Sequence, residues 1–345
     1  MGIQRFFARS LTRLPASFLN AMSRNVVTQV DGRTLDPGLA ALLGLAARGP
    51  GIETQTPREA REATRKAFAA MSGPRARGVG VTDLTVPGPA GTLAMRHYWP
   101  SETAPNGGLI VYFHMGGCVI GDLDTCDDFC SRIAAQTGTG VLSVDYRLAP
   151  EHPCPAAVED ALAAFRWVRD HAAEFAGSAD RVAVGGDSAG GYLAAVVAQE
   201  TKRAGEKGPA AQLLIYPWLD MTATGGSMES CAACAPLSSA GLRWFETHYV
   251  PANADKTLPQ LSPGLAEDLA GLAPALVYTA GFDPLRDQGE AYAVKLERAG
   301  VSVTFREYAD LPHGFTAMGG ANGRAAAATG EIIADLKRAL AGDTA

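Results

Sequence analysis

The chain has 345 residues, 47% of them hydrophobic and 19% charged, and its 30 Lys and Arg against 36 Asp and Glu leave a net charge of −6. That apolar supply fills a large buried core, so a disordered chain, a short peptide module and a disulfide-stapled miniprotein are excluded. The acidic balance offers no basic footprint to nucleic-acid phosphates, and no run approaches the ~20 apolar residues of a membrane-spanning helix.

The first 25 residues interleave Arg5, Arg9, Arg13 and Arg24 with Phe6, Phe7, Leu11, Leu14, Phe18 and Leu19, with no acid before Asp31. This spacing predicts an amphipathic, Arg-rich helix, read first as packed on the protein's own surface, with a targeting peptide or a membrane-surface helix as alternatives. Arginine interrupts the apolar residues too often for a secretory signal. Helical periods follow at 39–47 and 57–71, the second charged on one face through Arg58, Glu59, Arg61, Glu62, Arg65 and Lys66. Ser72-Gly73-Pro74 closes this helix-and-loop segment.

From Val79 the texture changes to short apolar runs at 80–86, 93–98, 109–113, 141–145, 182–185, 213–216, 276–279 and 301–308. Helical patterns lie between the later runs, at 122–137, 155–175, 189–204, 286–299 and 324–340. Strands separated by such helices predict an α/β fold with a mostly parallel central sheet of about eight strands and helices on both faces. Residues 221–265 break the alternation as a long strandless insertion with one helix near 239–249. At about 150 residues per domain the length suggests two domains. The motifs instead run through 76–220 and 266–345 as one unit, leaving 1–75 and 221–265 as the surplus.

Six cysteines (Cys118, Cys126, Cys130, Cys154, Cys231 and Cys234) are too few for a disulfide scaffold and read as free thiols of a reducing compartment, hence a cytoplasmic chain. Cys231 and Cys234 have the C-x-x-C spacing of half a zinc site, but no second pair or histidine cluster matches them, so no metal is expected.

The run Arg181 to Gly191 (RVAVGGDSAGG) carries the chemistry: an apolar strand ends at Gly185-Gly186, Ser188 sits at the centre of G-x-S-x-G, and a helix follows. A nucleophilic serine needs this sharp strand-to-helix turn, with Gly186 and Gly190 admitting the close backbone approach and the helix N-terminus facing the developing negative charge. It also needs a general base and an orienting carboxylate. Of His97, His114, His152, His171, His248 and His313, the last lies in a Pro- and Gly-punctuated loop after the final strand, where a base can reach the sheet's C-terminal edge. Asp283 ends the strand of ALVYTAGFD and precedes Pro284, whereas Asp287 falls inside the next helix. The order Ser188, Asp283, His313 is that of α/β-hydrolases. His114-Met115-Gly116-Gly117 after the strand at 109–113, with the N–H of Ala189, supplies candidate oxyanion donors.

Phe113-His114-Met115-Gly116-Gly117, the segment Asp145 to Pro153 (DYRLAPEHP), Gly186-Asp187-Ser188-Ala189-Gly190-Gly191, Asp283-Pro284-Leu285-Arg286-Asp287 and His313-Gly314-Phe315 occur in family order across residues 80–345. On these motifs the chain resembles the hormone-sensitive lipase family of bacterial esterases, within the α/β-hydrolase fold. The resemblance implies a Ser188, Asp283, His313 triad, an oxyanion hole from the N–H groups of Gly116, Gly117 and Ala189, and His114 as a loop-ordering residue. It also implies a helical cap built from 1–75 and 221–265 over the catalytic core of 76–220 and 266–345, and a serine carboxylesterase acting on short to medium acyl chains without a cofactor. The partner is then a small-molecule ester, and a homodimer through an edge strand at 301–308 is left open.

Two departures stand out. Met115 replaces the first glycine of the family's His-Gly-Gly-Gly, and Cys118 stands where an aromatic residue is usual; the smaller Cys118 implies more room beside the oxyanion hole and a changed acyl or alcohol preference. Met115, Cys118 and Asp187 are the candidate pocket residues. The same triad would also serve an amidase, lactonase or deacetylase, and from a different class this fold has yielded small-molecule binding proteins that lost a catalytic member.

Overall fold

The computed structural model describes residues 9–12, 14–102 and 108–342. Eight strands form one sheet: β1 (Val79–Gly88), β2 (Gly91–Pro100), β3 (Leu109–Phe113), β4 (Gly140–Asp145), β5 (Val182–Asp187), β6 (Gln212–Ile215), β7 (Ala275–Phe282) and β8 (Val303–Pro312). Their spatial order is β8-β7-β6-β5-β3-β4-β2-β1. β2 runs antiparallel to β1 and β4, and the other neighbours are parallel. The chain therefore has the α/β-hydrolase fold anticipated from its motifs.

Among the described residues the longer helices are α1 (Ala16–Met22), α2 (Pro37–Ala46), α3 (Pro57–Met71), α4 (Asp127–Thr137), α5 (Ala156–Asp170), α6 (Ala189–Arg203), α7 (Ser239–Tyr249), α8 (Arg286–Arg298) and α9 (Gly323–Ala341), with a single helical turn at Ser227–Ser230. Strand side chains alternate between two cores, as a sheet covered on both faces requires. Leu109, Val111 and Phe113 of β3 join the core shared with α5, α6 and α8. Ile110 and Tyr112 join the opposite one, shared with α4, α9 and Leu39 and Leu43 of α2. Both cores continue past the strand ends into the loops at the C-terminal edge, through Cys118, Val119 and Trp218 on one side and Phe315 and Met318 on the other.

Capping fixes where the N-terminal helices begin. Asp36 accepts from the N–H of Leu39 ahead of Pro37, and Thr56 and Glu59 form a reciprocal capping box ahead of Pro57. Arg61 then fastens α3 to the sheet: it donates to the carbonyls of Val119 and Ala149 at 2.8 Å each and pairs with Glu151 at 2.6 Å. The Arg61 guanidinium holds the Glu151 carboxyl down to about 2.

Several boundaries differ from the sequence reading. The single helix expected over the first 25 residues is divided: 9–11 are helical, and α1 starts after Pro15, whose fixed φ and missing N–H restart the helix. Arg5, Phe6, Phe7 and Arg13 lie outside the described residues. The segment expected as helix and loop also holds an antiparallel ribbon, Gln29–Val30 with Arg33–Thr34, turned by Asp31 and Gly32 at φ 49° and 75°. Residues 122–126 are turns rather than the first turn of α4, because Thr125 and Asp122 bond each other's backbone and side chain. β8 runs on to Pro312, past the expected end at Tyr308, through a register irregularity against β7.

Gly44 of α2 is where α1 crosses closest: a Cβ there would strike the carbonyl of Met22. Helix propensity alone favours Gly44→Ala by about 1 kcal/mol. The collision outweighs it, so thermal unfolding followed by circular dichroism should show a Tm several degrees below wild type, on the order of 1–3 kcal/mol of stability lost. An unchanged or raised Tm would mean that α1 does not press on α2.

Candidate active site

β5 delivers Ser188 to the edge of the sheet, and the chain turns into α6 at the next residue. Ser188 has φ 56° and ψ −118°, a backbone conformation that side-chain-bearing residues avoid at a cost of about 1–3 kcal/mol. The turn closes only because its neighbours lack side chains: a Cβ on Gly186 would collide with the backbone of Gly190 and Phe113, and a Cβ on Gly190 with the Phe113 carbonyl. The Ser188 N–H donates to the Ile215 carbonyl at 2.8 Å and the Trp218 N–H to the Ser188 carbonyl at 3.2 Å, which locks the strained residue between β5 and the end of β6.

The extension of β8 sets His313 beside it. The Ser188 hydroxyl lies 2.9 Å from His313 Nε2, and His313 Nδ1 lies 2.7 Å from Asp283 Oδ2. With the carboxylate accepting from Nδ1–H, Nε2 is left bare to receive the serine proton. Asp283 is wholly buried after β7, and its other oxygen accepts from the Leu285 N–H at 2.8 Å. The structure thus brings together the three residues that the sequence reading selected. The alternatives stay apart: His171 and His248 each bond a carbonyl of their own helix, and His97 packs tilted against Trp99 and edge-on to Phe175. Asp287 instead receives the Ser227 N–H and pairs with Arg286.

After β3 the loop bears Gly116 at φ 128° and Gly117 at φ 60°, conformations that need glycine. Among the described residues, the N–H groups of Gly116, Gly117 and Ala189 donate to no protein acceptor. His114 orders the loop from within: its Nδ1 lies 2.8 Å from the Met115 carbonyl, its ring stacks on Tyr146 at 4.2 Å, and the Tyr146 hydroxyl donates to its carbonyl at 2.7 Å. Met115 keeps an ordinary negative φ, so this departure from glycine does not bend the loop.

A cavity of about 300 Å³ opens above Ser188 and His313. Ala63, Ala67 and Met71 of α3, Leu242 and Phe245 of α7, and Met115 are among its lining residues, and no charged side chain is. Of the three candidate pocket residues, Met115 is in this lining. Cys118 and Asp187 are not. Cys118, at φ 57°, turns into the core toward Tyr249 and Cys154, and Asp187 is wholly buried against Tyr216 and Thr316. The wall beside Gly117 is the Phe245 ring, close enough that a Cβ on Gly117 would overlap it. Sequence reasoning missed Phe245 and the stripe of α3; the signal was Ala63, Ala67 and Met71 recurring every fourth residue opposite the charged face. Among the described residues no three His, Cys, Asp or Glu side chains gather as a metal site would need, and no helix is long and apolar enough to cross a membrane. Cys231 and Cys234 are packed beneath the Asp283 loop, the Cys231 thiol 3.8 Å from the Gly281 carbonyl.

A family described as having the alpha/beta hydrolase fold is matched over residues 110–317. The chain is similar to the carboxylic ester hydrolase LipN of Mycobacterium tuberculosis, with 45% identity over 94% of this chain and 88% of that one. It is also similar to the ethyl acetate hydrolase of Pseudomonas putida, with 37% identity over 83% of this chain and 93% of that one. Among solved structures it is similar to a hyperthermophilic esterase from the archaeon Pyrobaculum calidifontis, with a TM-score of 0.82 and 37% identity, covering 88% of this chain and 98% of that one. An alpha/beta hydrolase enzyme from the metagenome of Lake Arreo gives a TM-score of 0.83 and 42% identity, with 86% and 94% covered.

The buried His114 ring makes the site's stability depend on pH. Burial pushes His114 down to about 4, whereas the unfolded chain titrates near the ordinary ~6.5. The unfolded state therefore binds a proton that the folded state refuses, so the contribution is complete above about pH 6.5 and is lost as pH falls toward 4. Urea unfolding at about pH 7.5 and about pH 5 should show wild type losing on the order of 2 kcal/mol more than His114→Asn. Equal losses would show that His114 does not titrate in this range.

Proposed function

The chain belongs to the α/β-hydrolase fold family as a carboxylic ester hydrolase of the hormone-sensitive lipase type, and from that premise we propose that Ser188, His313 and Asp283 carry out its acyl transfer. The observation that supports this most directly is the unbroken relay from the Ser188 hydroxyl to His313 at 2.9 Å and on to Asp283 at 2.7 Å, at the floor of an uncharged cavity.

In this reading His313 Nε2 takes the serine proton as Oγ attacks the ester carbonyl. The carbonyl π electrons move to oxygen, and that oxyanion is received by the N–H groups of Gly116, Gly117 and Ala189 at the N-terminus of α6. Collapse breaks the bond to the alkoxy oxygen, His313 returns the proton to it, and an alcohol leaves. Water then repeats the same steps on the acyl-serine, releasing the acid and restoring Ser188. Asp283 keeps the imidazole in the required tautomer and stabilises the imidazolium. These residues handle every proton and charge in the cycle, so the reaction calls for no cofactor.

Residues 1–75 and 221–265 act in this proposal as one discontinuous cap on the core of 76–220 and 266–345. The indole N–H of Trp244 on α7 donates to the Gln55 carbonyl at 3.0 Å, joining the two pieces over Ser188. At roughly 30 Å³ per water-sized group, a cavity of about 300 Å³ holds about ten non-hydrogen atoms. That favours esters of short to medium acyl chains. A cytoplasmic location draws on the six free thiols, and pairing with a second copy would use β8 at the sheet edge, where Phe305 is exposed.

Ser188→Ala should abolish turnover of p-nitrophenyl butanoate while the circular dichroism spectrum stays that of wild type; retained turnover would place the nucleophile elsewhere. The uncharged lining gives a second expectation. A monoester of succinate should be hydrolysed at least about 100-fold less efficiently than the butanoate ester, because its free carboxylate would be buried unpaired. Comparable kcat/KM values would show that the acyl group lies outside this cavity.

A further inference from the structure

Asp187 ends β5 one residue before Ser188 and packs beside Tyr216 and Thr316, outside the cavity lining. It is wholly buried, and among the described residues no lysine or arginine pairs with it. Oδ2 lies 3.0 Å from the Tyr216 hydroxyl and 2.8 Å from the Thr316 hydroxyl, and these two hydroxyls are also in contact, so their two protons are shared among three oxygen contacts. Oδ1 has no partner, nor does the Tyr112 hydroxyl, which bears on the same carboxylate.

Both donors belong to the surroundings of His313. Thr316 lies in the turn Phe315–Met318 just after it, and the Tyr216 ring packs 4.7 Å from the imidazole. Tyr216 itself is held at φ 35°, so its side chain is aimed at some backbone cost. The titratable groups facing Asp187 are Tyr112 from β3, Cys130 from α4, Tyr146 after β4, Tyr216 after β6 and His313 after β8. Of these only the His313 imidazole can carry a positive charge. Burial holds the Asp187 carboxyl above the ordinary carboxylate range on balance, although the Thr316 and Tyr216 hydroxyls and His313 favour its charged form. A buried carboxylate held by hydroxyls and lacking a permanent counter-ion favours whatever positive charge arises beside it.

We propose that Asp187 is a positioning residue that acts through His313: its hydroxyl clamp through Thr316 and Tyr216 holds the loop of the base, and its charge stabilises the imidazolium formed when Ser188 gives up its proton. The inference rests on the reading of Ser188 and His313 as nucleophile and base. Asp283 then orients the ring from Nδ1, and Asp187 acts through Thr316 and Tyr216.

The test is the rate of fluorophosphonate labelling of Ser188 against pH, read by mass spectrometry, together with kcat and KM on p-nitrophenyl butanoate. Removing a negative charge beside His313 lowers its pKa, so the acid limb of Asp187→Asn should move to lower pH by about half a unit to one unit. The plateau should fall roughly tenfold, through kcat and with KM within about twofold, since the imidazolium loses its support. Thr316→Val, which weakens the clamp without removing the carboxyl, should shift the limb in the same direction, and Thr316→Ser, which retains the hydroxyl, should bring it back. If Asp187→Asn does not fold, the Thr316 pair decides alone. Variants whose limb coincides with that of wild type, with only their Tm lowered, would reduce Asp187 to a structural residue and overturn the proposal. A wild-type protein that is not labelled at Ser188 would overturn the reading of the site, and this inference with it.

Discussion

A serine held at φ 56° is the constraint to which the rest of the molecule answers. The strain is on the order of 1–3 kcal/mol. It persists because the turn is pressed between fixed surfaces: the Phe113 carbonyl at the end of β3, the Ile215 carbonyl at the end of β6, and α6, buried without a break from Ala189 to Gln199. Relaxing Ser188 would require withdrawing that helix from the core, which would expose far more apolar surface than the strain is worth. The reactive hydroxyl is therefore fixed by packing well away from it.

The same economy ties the covering segments to the acid of the site. Arg286, three residues beyond Asp283, is 5% exposed and pairs at 2.7 Å with Asp31 in the N-terminal ribbon, whose carboxylate also receives the Ser230 hydroxyl. Asp287 receives the Ser227 N–H, and the Ser227 hydroxyl donates to the Pro284 carbonyl. Segments near residues 30 and 230 thus meet on the loop that carries the carboxylate. Burial makes this contact consequential, because a guanidinium at 5% exposure cannot exchange its carboxylate for water. The segments near residues 30 and 230 therefore brace the loop that carries Asp283.

Much of this was legible in the residues. Strand-forming runs and intervening helical periods anticipated the eight-stranded sheet, and the glycines around Ser188, the loop of His313 and the strand end at Asp283 each announced a geometry before it was seen. What escaped notice depended on orientation and on distant packing. Cys118 reads as a pocket residue by its place beside Gly117, but a positive φ turns it into the core, and that torsion has no one-letter signature. Asp187 reads as part of a nucleophile motif, yet a strand alternates its faces, so the residue before an outward serine points the other way. The ribbon at Asp31-Gly32 was recoverable, since that dipeptide favours a tight hairpin. The division of the N-terminal helix at Pro15 was recoverable too. The Phe245 wall was not, because it comes from an insertion whose path over the sheet is set by tertiary contacts alone.

The relay from Ser188 to His313 joins residues 125 positions apart in the chain, with Asp283 between them. During synthesis the hydroxyl leaves the ribosome first, the carboxylate later and the base last. Until His313 is placed, the growing chain carries Ser188 without the imidazole that completes the relay. Under the roles proposed for Ser188 and His313, the chain order works as a delay: the relay closes only after β8, the last strand of the sheet, has found its edge.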